Sequence, residues 1–341
     1  MKLSTKSNLC AVLASLTLGV AGSHSAIITV DNNPTHDADF MELNAAIESA
    51  SDGDVIHLIG SAIEYQAGTV TKSVQIYGPG YFLTENPDTQ ATPIGAQIAG
   101  LTLSTGSAGS LVSGVTIRGL TNVAVSNDSI TLQRCYFQSS VNISTSSINI
   151  ILLQNYFARG IEIFNGASDI LISNNIFASD LNRDDPFIDM NGTGANATII
   201  NNTFVNGSQL ALNNSVFNNN IIVNDGFIAN LSFNNTSASN NLVNQEFIAG
   251  APESQFKVVT ESPFSTESSS KDGRFMLQNA APPPPAIGGG INGEDLGAFG
   301  GATPYVLSGI PVIPNIYVLE IPATVTRHNG LRVRLKARTN L

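Results

Sequence analysis

One stretch of a weakly charged chain concentrates side chains that could act on a ligand. Residues 179–186 read SDLNRDDP, and charged residues make up only 12% of the whole chain. The charged residues of this group are Asp180, Arg183, Asp184, Asp185 and Asp189 within or just after the stretch, and Arg159 and Glu162 before it. Metal sites and acid–base pairs are built from carboxylates with a nearby base, so this group is the candidate site.

Two reactions would use these residues differently. A lyase acting on uronic-acid polymers needs Ca²⁺ to bind the substrate carboxylate, together with an Arg or Lys base. The ion would then be held by Asp184, Asp185, Asp189 and Glu162, with Arg183 as the base. A glycoside hydrolase needs two carboxylates instead, and Asp185 and Asp189 are the candidates. Asn142, Arg159 and Glu162 are the substrate-binding candidates in either case.

A short repeat positions these residues. Phe137, Phe157 and Phe177 are 20 residues apart, and Phe204 follows after 27. Each Phe ends the same phrase of an apolar run, two polar or small residues and an aromatic: ITLQRCYF, IILLQNYF, ILISNNIF and TIINNTF. Self-similarity at a fixed short period is the signature of a stacked-repeat architecture.

The composition of the repeat predicts strands. Its apolar runs are rich in the β-branched residues Ile, Val and Thr, which favour strands, and the Asn, Gly, Ser and Asp between them favour tight turns. The consensus of leucine-rich repeats, which have similar lengths, is absent. Each unit is therefore predicted to form one coil of about three short strands. In one coil these strands cover residues 161–163, 170–172 and 176–177.

Asparagines recur two positions before the aromatic residue. Asn155, Asn175 and Asn202 hold this position, and the pairs at residues 219–220 and 240–241 continue it. Asn tolerates the left-handed backbone of a tight corner, and stacked Asn amides can hydrogen-bond along the stack. We therefore expect an Asn ladder and a parallel stack of Phe rings. Cys135 holds the ladder position of its coil and is predicted to be a buried structural thiol.

Alternation within one strand per coil predicts the functional face. In the triplets around Asn142, Glu162 and Asp189 the outer residues are apolar, so the middle residue should point outward. The three middle residues should then lie in a row, about 5 Å apart per coil. The unit that ends at Phe204 is seven residues longer than the others, and the extra residues precede Asp189. Insertions in solenoids map to loops on one face, often the binding face.

The repeat phrase and the Asn ladder resemble the right-handed parallel β-helix proteins of the pectate-lyase-like superfamily, in the manner of a secreted bacterial member. The resemblance covers residues 54–301 and implies an all-β fold, a right-handed parallel β-helix of coils of about 20 residues. That fold carries lyases, hydrolases, esterases, adhesins and inert scaffolds, so it does not specify the chemistry. The full motif sets of pectate lyases and polygalacturonases are absent, and the mature histidines lie outside the central coils.

Two functions follow as expectations. The first is binding or processing of an extracellular polysaccharide at the face around residues 179–189, with Ca²⁺ as cofactor if the reaction is that of a lyase. The alternative is a non-catalytic surface protein, adhesin or structural solenoid, whose surface is expected to be rich in Asn, Ser and Thr. Whether the chain is an enzyme stays open at this point.

The first 53 residues divide into a leader and an N-terminal cap. Residues 1–25 are predicted to be a signal peptide, because Lys2 and Lys6 precede an apolar core at residues 9–20 and small residues follow. We expect export to the periplasm, the cell surface or the medium. Residues 26–53 are predicted to form a strand and a capping helix over residues 40–50, with Asp39 as its N-cap.

Residues 302–341 form a separate C-terminal extension. Two strands are predicted at residues 317–326 and 331–339, with a turn at residues 328–330. The extension holds five of the 15 basic residues of the chain. It is interpreted either as a cap with a solvated basic face or as a docking element.

Composition limits the partners. The net charge is −11 and the isoelectric point about 4.7, which argues against nucleic acid or an anionic membrane surface. Outside the leader no segment is apolar enough to cross a membrane, so we expect no integral membrane protein. Cys135 alone remains after removal of the leader, so no intrachain disulfide is expected. We expect a monomer.

Overall fold

The computed structural model describes residues 25–35, 37–119, 122–178, 186–190, 192–224, 230–244, 256–324 and 330–339. Three sequence predictions fall elsewhere: nearly all of the leader, the part of the insertion with Asp180, Arg183, Asp184 and Asp185, and the start of the turn at His328. They lie outside the described residues.

The short β-branched runs form three long parallel sheets. Sheet A has ten strands: β1 (Ile27–Val30), β2 (Val55–Leu58), β4 (Gln75–Tyr77), β7 (Leu111–Ser113), β10 (Thr131–Gln133), β13 (Ile148–Leu153), β16 (Ser168–Ser173), β19 (Ala197–Ile200), β22 (Val216–Asn218) and β25 (Ser237–Ser239). Sheet B has nine: β5 (Gln97–Ile98), β8 (Thr116–Ile117), β11 (Tyr136–Phe137), β14 (Tyr156–Phe157), β17 (Ile176–Ala178), β20 (Thr203–Val205), β23 (Ile221–Val223), β26 (Asn241–Val243) and β27 (Phe256–Val258). Sheet C has eight: β3 (Gly68–Val70), β6 (Leu101–Leu103), β9 (Val123–Val125), β12 (Val141–Ile143), β15 (Ile161–Ile163), β18 (Pro186–Met190), β21 (Gln209–Asn213) and β24 (Asn230–Asn234).

From β4 to β26 the chain visits sheets A, B and C in turn. Each strand therefore pairs with the equivalent strand of the next coil, as in the pairs Tyr136↔Tyr156 and Phe137↔Phe157. This arrangement is mostly β and consistent with a parallel β-helix, as the repeat predicts.

Aromatic rings stack along the core. The ring centroids of successive Phe residues are 4.9 Å apart from Phe137 to Phe157, 4.7 Å from Phe157 to Phe177 and 4.7 Å from Phe177 to Phe204. These spacings match the separation of neighbouring strands, so each coil places its ring directly on the previous one. The predicted Phe stack is confirmed.

The predicted Asn ladder is also present. The amide side chain of each ladder residue accepts from the backbone N–H of the ladder residue one coil before it, at 2.8–2.9 Å. The ladder contains Asn155, Asn175, Asn202, Asn220 and Asn241. The N–H of Cys135 donates to Asn155 at 2.9 Å, so this thiol does occupy the first ladder position. Burial raises the pKa of Cys135 to about 12, which keeps the thiol protonated.

The two residues of each Asn pair have different roles. The residue before the ladder Asn takes the left-handed backbone, with φ of 54° at Asn174, 55° at Asn201 and 57° at Asn219. Gln154 does the same at 57°, which shows that the position requires the conformation more than it requires Asn. The repeat pattern alone does not separate these two roles. In the structure, one residue turns the chain and the next bonds to the neighbouring coil.

Replacing Asn175 with Ala tests the ladder. The side chain of Asn175 donates to Leu152 O at 2.8 Å and accepts from Asn155 N at 2.8 Å, and both partners are buried. Their loss leaves two buried backbone groups unsatisfied, so we expect the free energy of unfolding to fall by about 3 kcal/mol in chemical denaturation. Asn234→Ala removes an exposed amide from another row and should cost less than about 0.5 kcal/mol. Equal losses in the two variants would contradict the ladder's importance.

The N-terminal helix is shorter than predicted. Helix α1 covers Leu43–Ser49, and Glu42 at its N-cap makes no side-chain capping bond. Asp39 instead accepts from the backbone N–H and the hydroxyl of Thr29, both at 2.8 Å. The prediction that Asp39 caps the helix was therefore wrong, because this carboxylate binds Thr29 and so joins the segment before the helix to β1. The buried face of α1 consists of Leu43, Ala46 and Ile47.

Residues 259–314, which follow β27, form a return segment that lies along the corners between sheets A and B. The left-handed corner residues bind this return segment: Asn174 Nδ2 donates to Ala298 O at 3.0 Å and to Gly300 O at 2.7 Å. Further such bonds join Asn240 to Gly289, Asn201 to Asp295, Gln154 to Pro304, and Arg134 to Ile310. The corner side chains thus fasten one extended segment across six coils. Three 3₁₀ turns interrupt the segment at Gly273–Phe275, Ile291–Gly293 and Leu307–Gly309.

A buried polar network anchors the return segment to the loop after β4. The hydroxyls of Tyr81 and Tyr305 are 2.6 Å apart, and Asp272 accepts from Asn86 Nδ2 at 2.9 Å and from the backbone N–H of Ser308 at 2.6 Å. Burial, reinforced by the charge of Asp272, raises the pKa of Tyr81. Burial likewise raises the pKa of Tyr305, with further contributions from Tyr81 and Asp272. Both phenols therefore stay protonated in the folded chain above their ordinary range.

This network predicts loss of stability in alkali. A tyrosine whose pKa is higher in the folded than in the unfolded chain stabilises the fold fully below about pH 10 and loses that contribution as pH rises. Each such group lowers the free energy of unfolding by up to about 1.4 kcal/mol per pH unit above that point. We expect Tyr305→Phe to flatten the decline in denaturation experiments across this range. Tyr317→Phe, in the C-terminal strand pair, serves as the control, and an equal effect of both variants would contradict the assignment.

The C-terminal extension contains two antiparallel strands, β28 (Asn315–Glu320) and β29 (Arg334–Arg338). Three contacts attach them to the loop after β4: Asn315 Nδ2 donates to Thr89 O at 2.7 Å, Arg338 Nη2 to Asp88 O at 2.7 Å, and Ala91 N to Ile316 O at 2.9 Å. No helix in the described part of the chain has the length and hydrophobicity that a membrane crossing requires.

Candidate functional site

The outer face of sheet C carries the predicted row of polar side chains. Asn142 pairs directly with Glu162, and Glu162 with Asp189, across β12, β15 and β18. The residues on either side of each are buried while the middle residue is half-buried. Ala124 and Ala211 continue the row at its two ends. Two carboxylates on adjacent strands, with an amide beside them, therefore face outward at the spacing of one coil, about 4.8 Å.

Amides and hydroxyls border this row. Asn122 Nδ2 donates to Asn142 Oδ1 at 3.1 Å, which fixes the orientation of that amide. The hydroxyls of Ser126 and Ser144 are 2.8 Å apart at the ends of β9 and β12. The face consequently carries a strip of hydrogen-bonding groups, and this kind of surface suits a ligand rich in hydroxyls.

The insertion leaves the coil between sheets B and C. It departs at Ala178, the last residue of β17, and rejoins at Pro186, the first of β18. At the rejoining point a Cβ on Gly160 would overlap the carbonyl oxygen of Pro186, so glycine permits this close approach. Arg159 precedes Gly160 and therefore lies in the bend beside the returning insertion. Glu162 and Asp189 thus lie side by side on the outer face of sheet C, and Arg159 lies just before β15.

The predicted metal set cannot be assembled from the described residues alone. Within them, no group of three or more His, Cys, Asp or Glu side chains is placed to hold a metal ion. Glu162 and Asp189 supply two carboxylates, whereas Ca²⁺ takes six to eight oxygen ligands. Arg183, Asp184 and Asp185 lie outside the described residues. A Ca²⁺ site at this face would therefore depend on ligands from the insertion.

An aromatic residue that was not among the predicted site residues lies at this face. Phe164 follows β15 two residues after Glu162, so it continues the outward side of the strand, and it is only partly buried. Equivalent positions in the two preceding coils hold Ser126 and Ser144. The repeat register contained this signal, because an aromatic residue replaces a serine there. An accessible ring beside a polar strip is a surface on which a sugar ring can stack.

A concave surface lies away from the outer face of sheet C. A groove of about 590 Å³ is bounded by His57 and Tyr77 from sheet A, Ile94 from a loop, and Ile316 and Leu319 from the C-terminal extension. Burial lowers the pKa of His57, so the imidazole is neutral near neutral pH. The groove is therefore apolar and uncharged on this side, in contrast to the acidic face of sheet C.

Neither a protein-family model nor a curated protein matches this chain significantly.

Proposed function

We propose that the chain is an exported right-handed parallel β-helix that binds a linear extracellular polysaccharide along the outer face of sheet C. The observation that carries the proposal is the in-register row of Asn142, Glu162 and Asp189. A polymer lying along this row would meet an equivalent side chain from each successive coil, about 4.8 Å apart. Export rests on the predicted leader.

The finer features of the fold belong to the same proposal. Crossover connections between parallel strands of one sheet are right-handed in about 98% of cases, which favours right-handed coils. Helix α1 buries Leu43, Ala46 and Ile47 at the first coils, where a solenoid needs a cover for its terminal core. We therefore assign α1 as the N-terminal cap.

The residues at the face have complementary roles in binding. Asn142 offers both a donor and an acceptor, and its orientation is set by Asn122. Glu162 and Asp189 accept hydrogen bonds from sugar hydroxyls, or hold a cation that binds an acidic sugar. Phe164 supplies an apolar ring beside them. Arg159 adds a positive charge at the edge where the insertion rejoins the coil.

Catalysis at the same face would take one of two forms. In a lyase, Asp184, Asp185, Asp189 and Glu162 would hold Ca²⁺ and Arg183 would take the proton. In a hydrolase, Asp185 and Asp189 would be the carboxylate pair. The alternative is a solenoid with no enzymatic activity, which uses the face for adhesion or carries no ligand there.

Binding to a panel of acidic and neutral polysaccharides, with Ca²⁺ and with EDTA, tests the proposal. We expect Glu162→Ala and Asp189→Ala each to weaken binding about tenfold, the equivalent of one lost contact of about 1.4 kcal/mol. Glu267→Ala removes an exposed carboxylate from the return segment and should leave the affinity unchanged. If the wild-type chain binds none of the polysaccharides, or if both face variants bind with unchanged affinity, polysaccharide binding at sheet C is contradicted.

The same panel distinguishes catalysis from binding. Unsaturated product that requires Ca²⁺ and disappears in Arg183→Ala identifies the lyase. New reducing ends without unsaturation, lost in Asp185→Asn and Asp189→Asn, identify the hydrolase. Binding without either product identifies a non-catalytic polysaccharide-binding solenoid.

A further inference from the structure

The C-terminal strand pair, β28 with β29, has one apolar and one basic face. Directly opposed residues in an antiparallel pair share a face, and Leu319 opposes Leu335 whereas Val318 opposes Lys336. The register shifts between Ile316 and Val318, which leaves Ile316 opposite Ala337. The face with Leu319 and Leu335 is therefore apolar.

The basic face is the opposite one. Glu320 opposes Arg334 and forms an ion pair with it at 2.8 Å, with both side chains more than half exposed. Tyr317, displaced by the register shift, lies beneath Arg338 and Lys336, with its ring centroid 4.9 and 6.0 Å from these cations. The charges are thus gathered on one side of the pair and away from the leucines.

The apolar face is exposed. Leu319 is 46% exposed, Leu335 54% and Ile316 42%. The alternation continues beyond the strands with further large apolar side chains, which are Ile321, Leu331 and Val333, at 59%, 58% and 48% exposed. A two-stranded sheet has no core of its own and is marginal in water, and contiguous apolar patches of this kind mark interaction sites.

We propose that the apolar face of the strand pair binds the same face of a second copy of this chain, forming a two-fold dimer with a small β-sandwich at its centre. Six side chains about half exposed present on the order of 500 Å² per chain, so two copies bury about 1,000 Å², the lower bound for a specific interface. Ile59 and Ile94, each 41% exposed along the adjoining groove, enlarge this surface.

Charge favours a second copy over a lipid surface. Residues 302–341 carry five basic side chains and one acidic, a net charge of +4, although the whole chain carries −11. The remaining 301 residues therefore carry −15, which an anionic membrane would repel. In the proposed dimer both basic faces point outward from the sandwich, so they do not oppose each other. Each basic face then lies near the acidic remainder of the two chains. The prediction of a monomer was made without knowledge of this exposed apolar face.

Sedimentation equilibrium over about 1–100 μM chain tests the dimer, a range that brackets the affinity of a small interface. We expect wild type to approach twice the mass of a single chain. Leu335→Glu should raise the dissociation constant at least tenfold, because it buries a charge in the sandwich. Lys336→Glu introduces the same residue one position away on the opposite face and should change the constant less than about threefold.

Disulfide cross-linking tests the dimer without a measurement of its dissociation constant. Leu319→Cys should form a disulfide between two chains under mild oxidation, whereas Val318→Cys, on the other face, should not. Cys135 is buried and does not compete. A wild-type monomer throughout the range, or a dimer unaffected by Leu335→Glu, would overturn the proposal. Co-flotation of a monomer with phosphatidylglycerol vesicles that is lost in Leu335→Glu would overturn it in favour of a lipid surface.

Discussion

Parallel stacking of identical coils requires that the polar groups at each buried corner find their partners in the next coil. Sheet hydrogen bonds end at the corner between sheets A and B, and an unpaired buried N–H there would cost about 1–3 kcal/mol. The Asn ladder meets this need, since each amide accepts from the N–H of the coil before it and donates to a backbone carbonyl, as Asn175 does to Leu152. Because the same bond recurs in each coil from Cys135 to Asn241, it holds these coils in register at this corner.

The residue next to the ladder connects this constraint to the rest of the chain. A left-handed residue such as Asn174 turns its side chain outward, where it binds the return segment at Ala298 and Gly300. The return segment therefore needs no strand pairing to remain on the coils. The network of Asp272, Tyr81 and Tyr305 also binds this segment to the loop after β4. The C-terminal strand pair is held at the early coils by the same route.

Much of this architecture could be predicted from sequence, because a repeat reports the same contact several times. The Phe stack, the ladder and the outward row of Asn142, Glu162 and Asp189 each follow from a period of 20 residues and simple alternation. The path of the return segment could not be predicted. The corner side chains bind its backbone carbonyls, which are 49 to 176 residues away in the sequence, and carbonyls leave no trace in residue type. The prediction that Asp39 caps the helix was wrong for a related reason, because the carboxylate of Asp39 has an alternative partner in Thr29.

At the candidate site, Pro186 separates the strands that the repeat predicts from the insertion that it does not predict. Neighbouring coils specify where Glu162 and Asp189 lie, because each strand of sheet C copies the last. The insertion has no copy above or below it, so the repeat determines only its end points at Ala178 and Pro186. Stacking therefore provides a strip with fixed spacing, and the insertion is the segment that interrupts the repeat next to this strip. Under the proposed function, a regular polymer would lie along this strip, and the residues of the insertion would decide whether the strip only binds that polymer or also cleaves it.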